Sequence, residues 1–145
     1  MGFGRPRPKL PFHSGDEPPG SPQALLDKLG VRSGMKVAFV AVTDPHLTPL
    51  RWHSPVRASA TNPTQPVDVV VYQAENTFAL RRVRELAAYV KQGGALWVLW
   101  PRDQGHITES HVQRSGISAG FVDVAAIGVS DRLAGLKFVR RRSNR

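Results

Sequence analysis

The sequence predicts an α/β protein: a mostly parallel, doubly wound sheet with helices on both faces, closed by a C-terminal antiparallel hairpin. Three observations predict it. Val37 to Val42 and Ala95 to Trp100 are wholly apolar six-residue runs, and "VDVVVY" (67 to 72) is nearly so, as expected of parallel strands buried on both faces. Between the last two lies a stretch whose apolar residues recur at helical spacing. Beyond residue 120, two strand-like runs flank a short polar turn. Strand, helix, strand, helix, strand, hairpin is the order of a doubly wound sheet.

The elements follow in chain order. Residues 1 to 22 hold six of the twelve prolines and four glycines with little to bury, and are expected to form a flexible arm. Ser21 can cap a short helix and Pro22 suits its first position. Leu25, Leu26 and Leu29 make its apolar face, and Gly30 can end it in a left-handed turn. Ser33-Gly34 turns the chain into the strand 37 to 42. Five prolines between Asp44 and Pro66 forbid a long helix, leaving a turn around Leu47 to Trp52 and a short strand near Val56 to Ser59. After the strand 67 to 72, Asn76 or Thr77 can cap a helix buried through Leu80, Val83, Ala87 and Val90, with Gly93-Gly94 ending it. The strand 95 to 100 follows, then a helix from about Thr108 to Gly116, and strands 121 to 129 and 133 to 140 joined at Ser130-Asp131-Arg132. One domain, 23 to 140, is expected, with 141 to 145 as a basic end.

Composition narrows the function classes. With 145 residues, 41% of them hydrophobic, the chain can build one packed core. It has no cysteine, which removes disulfides, thiolate metal sites and a thiol nucleophile and fits a reducing compartment. The longest apolar runs fall far short of the roughly twenty residues that cross a bilayer, and the basic amino end lacks the apolar core of a secretory signal. A bacterial, cytoplasmic location without membrane contact is therefore expected. Net charge is +9, and much of the excess lies at the carboxyl end, in Lys137, Arg140, Arg141, Arg142 and Arg145. Arg140, Arg141 and Arg142 can hold phosphate backbones nonspecifically, or form a solvated end. Arg81, Arg82 and Arg84 could extend that basic surface, or form an ordinary wet helix face.

From Leu25 to Arg142 the chain resembles a family of short bacterial proteins, a domain of unknown function, that look like pared-down class I S-adenosylmethionine methyltransferases. The segments carrying the likeness are "LLDKLGVRSGMKVAFV" (25 to 40), "VDVVVY" (67 to 72), "GGALWVLWPR" (93 to 102), "ITESHV" (107 to 112), "AGFVDV" (119 to 124) and "GLKFVRR" (135 to 141). The likeness implies a Rossmann-like sheet closed by an antiparallel hairpin. It also implies a glycine-rich turn after the first strand and an acidic residue after the second. Here the chain departs: no glycine lies between Gly34 and Gly93, and residues 46 to 66 contain no acidic side chain. Without glycine, the left-handed approach of main chain to ligand is not expected.

Ligands of doubly wound folds sit outside the carboxyl ends of the strands. The candidate crevice is accordingly Thr43 and Asp44, then Tyr72, Gln73 and Glu75, then Trp100 and Arg102. Trp100 could stack a planar ligand or pack at the rim; Arg102 could meet a carboxylate or phosphate. Asp44 could contact ligand or simply cap the turn at Pro45. Trp97, three positions from Trp100, should face the opposite side and serve as core. His106 and Glu109 can share a helix face that excludes His111, and neither these nor His46 with His53 match a metal-ligand spacing, so no metal is expected. No serine stands in a strand-turn-helix elbow, and no catalytic residue is assigned. The expected role is noncatalytic: binding a protein partner or small ligand at the strand ends, without a cofactor. The alternatives are an enzyme with a nucleotide-derived cofactor of the S-adenosylmethionine type, contacted by Asp44, Gln73 and Arg102, and a nucleic-acid-associated protein acting through its basic ends.

Overall fold

The computed structural model describes residues 21–45, 47–52, 57–59 and 63–141. The expected arm up to residue 20, His46, His53 and Arg142 lie outside the described residues. The chain runs α1 (Pro22–Leu29), β1 (Lys36–Val40), a 3-10 turn (Thr48–Trp52), β2 (Arg57–Ser59) and β3 (Val67–Gln73). It continues with a 3-10 turn (Phe78–Arg81) that passes into α2 (Arg82–Ala87), then β4 (Val90–Pro101), α3 (Glu109–Ser118), β5 (Phe121–Gly128) and β6 (Leu133–Arg140). Six strands form one sheet in the order β2-β1-β3-β4-β6-β5. The first four strands are parallel, and β6 pairs antiparallel with both β4 and β5. This is the doubly wound α/β architecture with a terminal hairpin.

Strand alternation sorts the apolar runs into two cores. Val37, Phe39, Val71, Trp97 and Leu99 point to one face, under Leu25, Leu26 and Leu29 of α1 and Leu47 and Leu50 of the first 3-10 turn. Ala38, Val40, Val70, Tyr72, Val98 and Trp100 point to the other, under Leu80, Val83 and Leu86 and Val112 of α3. Trp97 and Trp100 thus part to opposite faces, as their spacing requires. The Trp97 indole N–H donates to the carbonyl of Leu29 at 2.8 Å, so the largest side chain of that core also satisfies a helix-end carbonyl. Among the described residues no helix is long and apolar enough to cross a membrane.

Most helix ends follow from their local chemistry. Ser21 Oγ accepts from Ala24 N at 3.1 Å and Gly30, at φ 73, closes α1. Asn76, rather than Thr77, receives Ala79 N on its Oδ1 at 2.9 Å. Thr108 caps α3 reciprocally with His111, whose Nδ1 accepts from Thr108 N at 3.0 Å.

Three expectations are corrected. The first strand ends at Val40 because Ala41 turns left-handed, at φ 58. The helix after β3 ends at Ala87, and Val90 begins a strand. Gly93-Gly94 lies inside β4 as a bulge: the register against β3 shifts between Val67 and Val69, and a Cβ on Gly94 would come within 2.5 Å of the Asp68 carbonyl. Helical periodicity ran past the true helix end since Val90 is fully buried in a strand for reasons of its own.

Candidate functional site

The strand order reverses between β1 and β3, because β2 lies on one side of β1 and β3 on the other. Such a switch point leaves a crevice outside the carboxyl ends of its two strands. β1 and β3 pair in register up to Val40 and Tyr72, so Ala41 to Asp44 leave the sheet beside Gln73. The turn begins at Ala41, an exposed, non-glycine residue in the left-handed region. That conformation costs an L-residue about 1–2 kcal/mol. The sequence expectation that a chain without glycine would not make this bend is therefore corrected: alanine makes it.

Gln73 organises the crevice. Its Oε1 accepts from Thr43 N at 3.0 Å and Asp44 N at 3.2 Å, and its Nε2 donates to Thr43 Oγ1 and to the Glu75 carboxylate. Gln73 and Asp44 are the buried polar residues of the described chain, at 6% and 8% exposure. The Asp44 carbonyl meanwhile accepts from Leu47 N and Thr48 N, starting the 3-10 turn that covers the α1 face. A cavity of about 560 Å³ opens here, lined by Thr43, Asp44, Gln73, Glu75, Asp103 and Arg132 among others. Three carboxylates against one guanidinium make it acidic.

The structure brings together four of the seven expected crevice residues and separates the rest. Tyr72 alternates with Gln73, so its ring lies buried on the α2 side, its hydroxyl donating to the Ala79 carbonyl at 2.7 Å. Burial pushes the Tyr72 phenol above its ordinary value, with Arg82 beside it opposing the shift. Trp100, at 5% exposure, belongs to the same face and lines a separate depression of about 470 Å³ with Arg102 and Thr108. The Arg102 guanidinium turns to the β5–β6 hairpin and donates to the Ser130 carbonyl at 2.9 Å. Arg132 stands in its place in the crevice. The signal for it was the hairpin itself: β6 pairs antiparallel with β4, Leu133 lying opposite Pro101, and Arg102 N donates to the Arg132 carbonyl.

The other expected sites are equally placed. Among the described residues no three His, Asp or Glu side chains gather around a metal position; His106 Nε2 instead lies 3.0 Å from the Glu75 carbonyl. Arg140 is an exposed residue whose guanidinium is nonetheless engaged, bonded to the Ala87 and Val90 carbonyls and set over the Phe121 ring. Arg141 is exposed, and Arg142 lies outside the described residues.

For an adenosine-bearing ligand the crevice fits in volume, within the usual 300–1,000 Å³ of small-molecule sites. It also fits in its left-handed turn and in carboxylates able to accept from hydroxyl or ammonium groups. It departs from the expected pattern in offering no acidic side chain in residues 46 to 66 and in the engagement of the Thr43 and Asp44 amides by Gln73.

No protein-family model and no curated protein matches the chain. Solved structures do. A magnesium protoporphyrin IX methyltransferase from Synechocystis with bound S-adenosylmethionine aligns at TM-score 0.60 and 15% identity, over 84% of this chain and 80% of that one. An S-adenosylmethionine-dependent methyltransferase from Aquifex aeolicus aligns at TM-score 0.56 and 17% identity, over 81% and 88%. The CcbJ methyltransferase from Streptomyces caelestis aligns at TM-score 0.58 and 11% identity, over 90% and 99%. At these identities the likeness establishes the fold: this chain has the Rossmann-like architecture of S-adenosylmethionine-dependent methyltransferases.

Proposed function

We propose that the chain binds an S-adenosylmethionine-type ligand in the crevice between β1 and β3, and that its activity is methyltransferase-like. The observation that carries this reading is the strained Ala41 turn at the switch point, since strained non-glycine residues cluster at active sites, ligand clamps and switch regions. The charge of the cavity agrees. Asp44, Glu75 and Asp103 favour a ligand bearing sulfonium and ammonium groups over one bearing phosphates, and Arg132 can meet its carboxylate. Asp44 and Glu75 would accept from hydroxyl or ammonium groups of the ligand. When bound, such a ligand supplies an electrophilic methyl group on sulfur. The fold likeness to methyltransferases supports the same choice.

A second reading, noncatalytic ligand binding, is favoured by one specific observation: Gln73 already occupies the main-chain amides of Thr43 and Asp44 in the turn that follows β1. Thermal unfolding with S-adenosylmethionine, S-adenosylhomocysteine and adenosine triphosphate tests both. Ligand at a hundred times its dissociation constant stabilises by about 2.7 kcal/mol. The proposal expects a shift of several degrees with the first two and none with the triphosphate. Binding of S-adenosylmethionine with no methyl transfer to any of a panel of oxygen, nitrogen and carbon nucleophiles offered as acceptors would favour the second reading, and no shift with either S-adenosyl compound would reject the proposed ligand.

A further inference from the structure

A second cavity, of about 580 Å³, runs between α2 with its leading 3-10 turn and α3. Thr77, Arg81 and Arg84 line one wall; His111, Arg114 and Ser118 line the other. The spacing is that of two helix faces lying side by side, and a row of seven residues is about 10 Å long. No carboxylate lines this groove, in contrast to the acidic crevice. Arg81, Arg84 and Arg114 are exposed, and among the described residues none of them has a carboxylate partner. Arg84 is fixed instead by Ser118, its Nη2 donating to Ser118 Oγ at 3.0 Å. Thr108 N donates to His111 Nδ1, which leaves the N–H of the neutral ring on Nε2. At the edge of the groove Phe78 is 72% exposed, and the Arg81 guanidinium sits 5.0 Å from its ring centre.

An uncompensated set of guanidiniums in a concave groove attracts anions, and its planar donors match phosphate oxygens. An aromatic ring left in water beside them adds a second requirement, a flat π-face to cover it. A strand that carries phosphates and unstacked bases meets both requirements; a duplex keeps its bases stacked inside and cannot cover the ring. We propose that the groove between α2 and α3 binds single-stranded nucleic acid, with phosphates on Arg81, Arg84 and Arg114 and a base stacked on Phe78. This site is independent of the crevice and stands whether or not that crevice takes a ligand.

Fluorescence anisotropy with a fluorescein-labelled twelve-residue oligouridylate tests it on the full chain. Three phosphate contacts give a slope of about −2 in log affinity against log salt, and each arginine removed takes away roughly 0.7 of it. R84A/R114A should weaken binding at least tenfold. F78A should weaken it about fivefold or more, with F78W restoring it. Phe78, Arg84 and Arg114 are exposed, so these variants should keep a cooperative unfolding transition near that of the wild type, R84A losing only a surface bond to Ser118, which is checked by circular dichroism. Adenosine triphosphate should compete only weakly, since it supplies one base and one end of the groove. Four results would overturn the proposal: no binding in 50 mM salt, equal binding of polyglutamate or of the matched duplex, affinity unchanged in R84A/R114A, or loss confined to R141A/R142A.

Discussion

Gln73→Ala is the most informative single change in the crevice. The substitution removes the acceptor of Thr43 N and Asp44 N and the donor to Thr43 Oγ1 and Glu75. Each amide bond contributes about 0.5–1.5 kcal/mol net, so losing the two costs about 1–3 kcal/mol, the low end applying if water enters from the cavity. Urea unfolding at constant m reads this as a lower midpoint. Gln73→Glu is the control: it retains an acceptor for both amides and brings like charge against the Glu75 carboxylate, so it too should destabilise. If a ligand must use the same amides, Gln73→Ala should bind S-adenosylhomocysteine more tightly while being less stable. A Gln73→Ala protein as stable as wild type within about 0.5 kcal/mol would refute the view that Gln73 holds this turn.

Three further expectations rest on other parts of the fold. Ala41→Gly removes about 1–2 kcal/mol of left-handed strain and adds about 0.5–1 kcal/mol of backbone entropy cost, so thermal or urea unfolding should show a small net gain; a loss would contradict the strain argument. Gly116→Ala would normally improve a helix by about 1 kcal/mol, yet its Cβ runs into the fully buried Phe138 ring, where overpacking costs about 1–3 kcal/mol. Net destabilisation is expected, relieved when Phe138→Leu is combined with it; independent effects in the double-mutant cycle would refute the contact. For Tyr72, the folded-state pKa is raised, so between the unfolded value near 10 and the higher folded one the native chain holds more protons than the unfolded chain. Stability should therefore be intact below about pH 10 and fall as pH rises above it, and Tyr72→Phe should flatten that fall.

The architecture was legible because its signals are local and strong. Apolar runs without alternation announced buried strands, and Ser21, Gly30 and Thr108 marked helix ends at the residues where the structure has them. The site was legible in its position along the sheet and less so in its membership. Alternation along β3 decides that Gln73, not Tyr72, reaches the crevice, and the hairpin pairing decides that Arg132 stands where Arg102 was expected. Both facts depend on register and on neighbouring strands rather than on nearby sequence. Ala41 was hidden for another reason: a left-handed alanine has no compositional mark, and only the hold of Gln73 on the Thr43 and Asp44 amides reveals why the turn holds. The groove was half visible, since Arg81 and Arg84 stood out as a basic run while Arg114 joined them only through helix packing.

The central claim, a ligand seated at the β1–β3 switch point, is tested most directly by amide chemical-shift mapping during titration with S-adenosylhomocysteine. The account expects saturable shifts concentrated at Ala41 to Asp44, Gln73 to Glu75 and Asp103, with the Gln73 side-chain amide among the most displaced. Shifts absent at saturating ligand, or gathered on the α2–α3 groove instead, would contradict it.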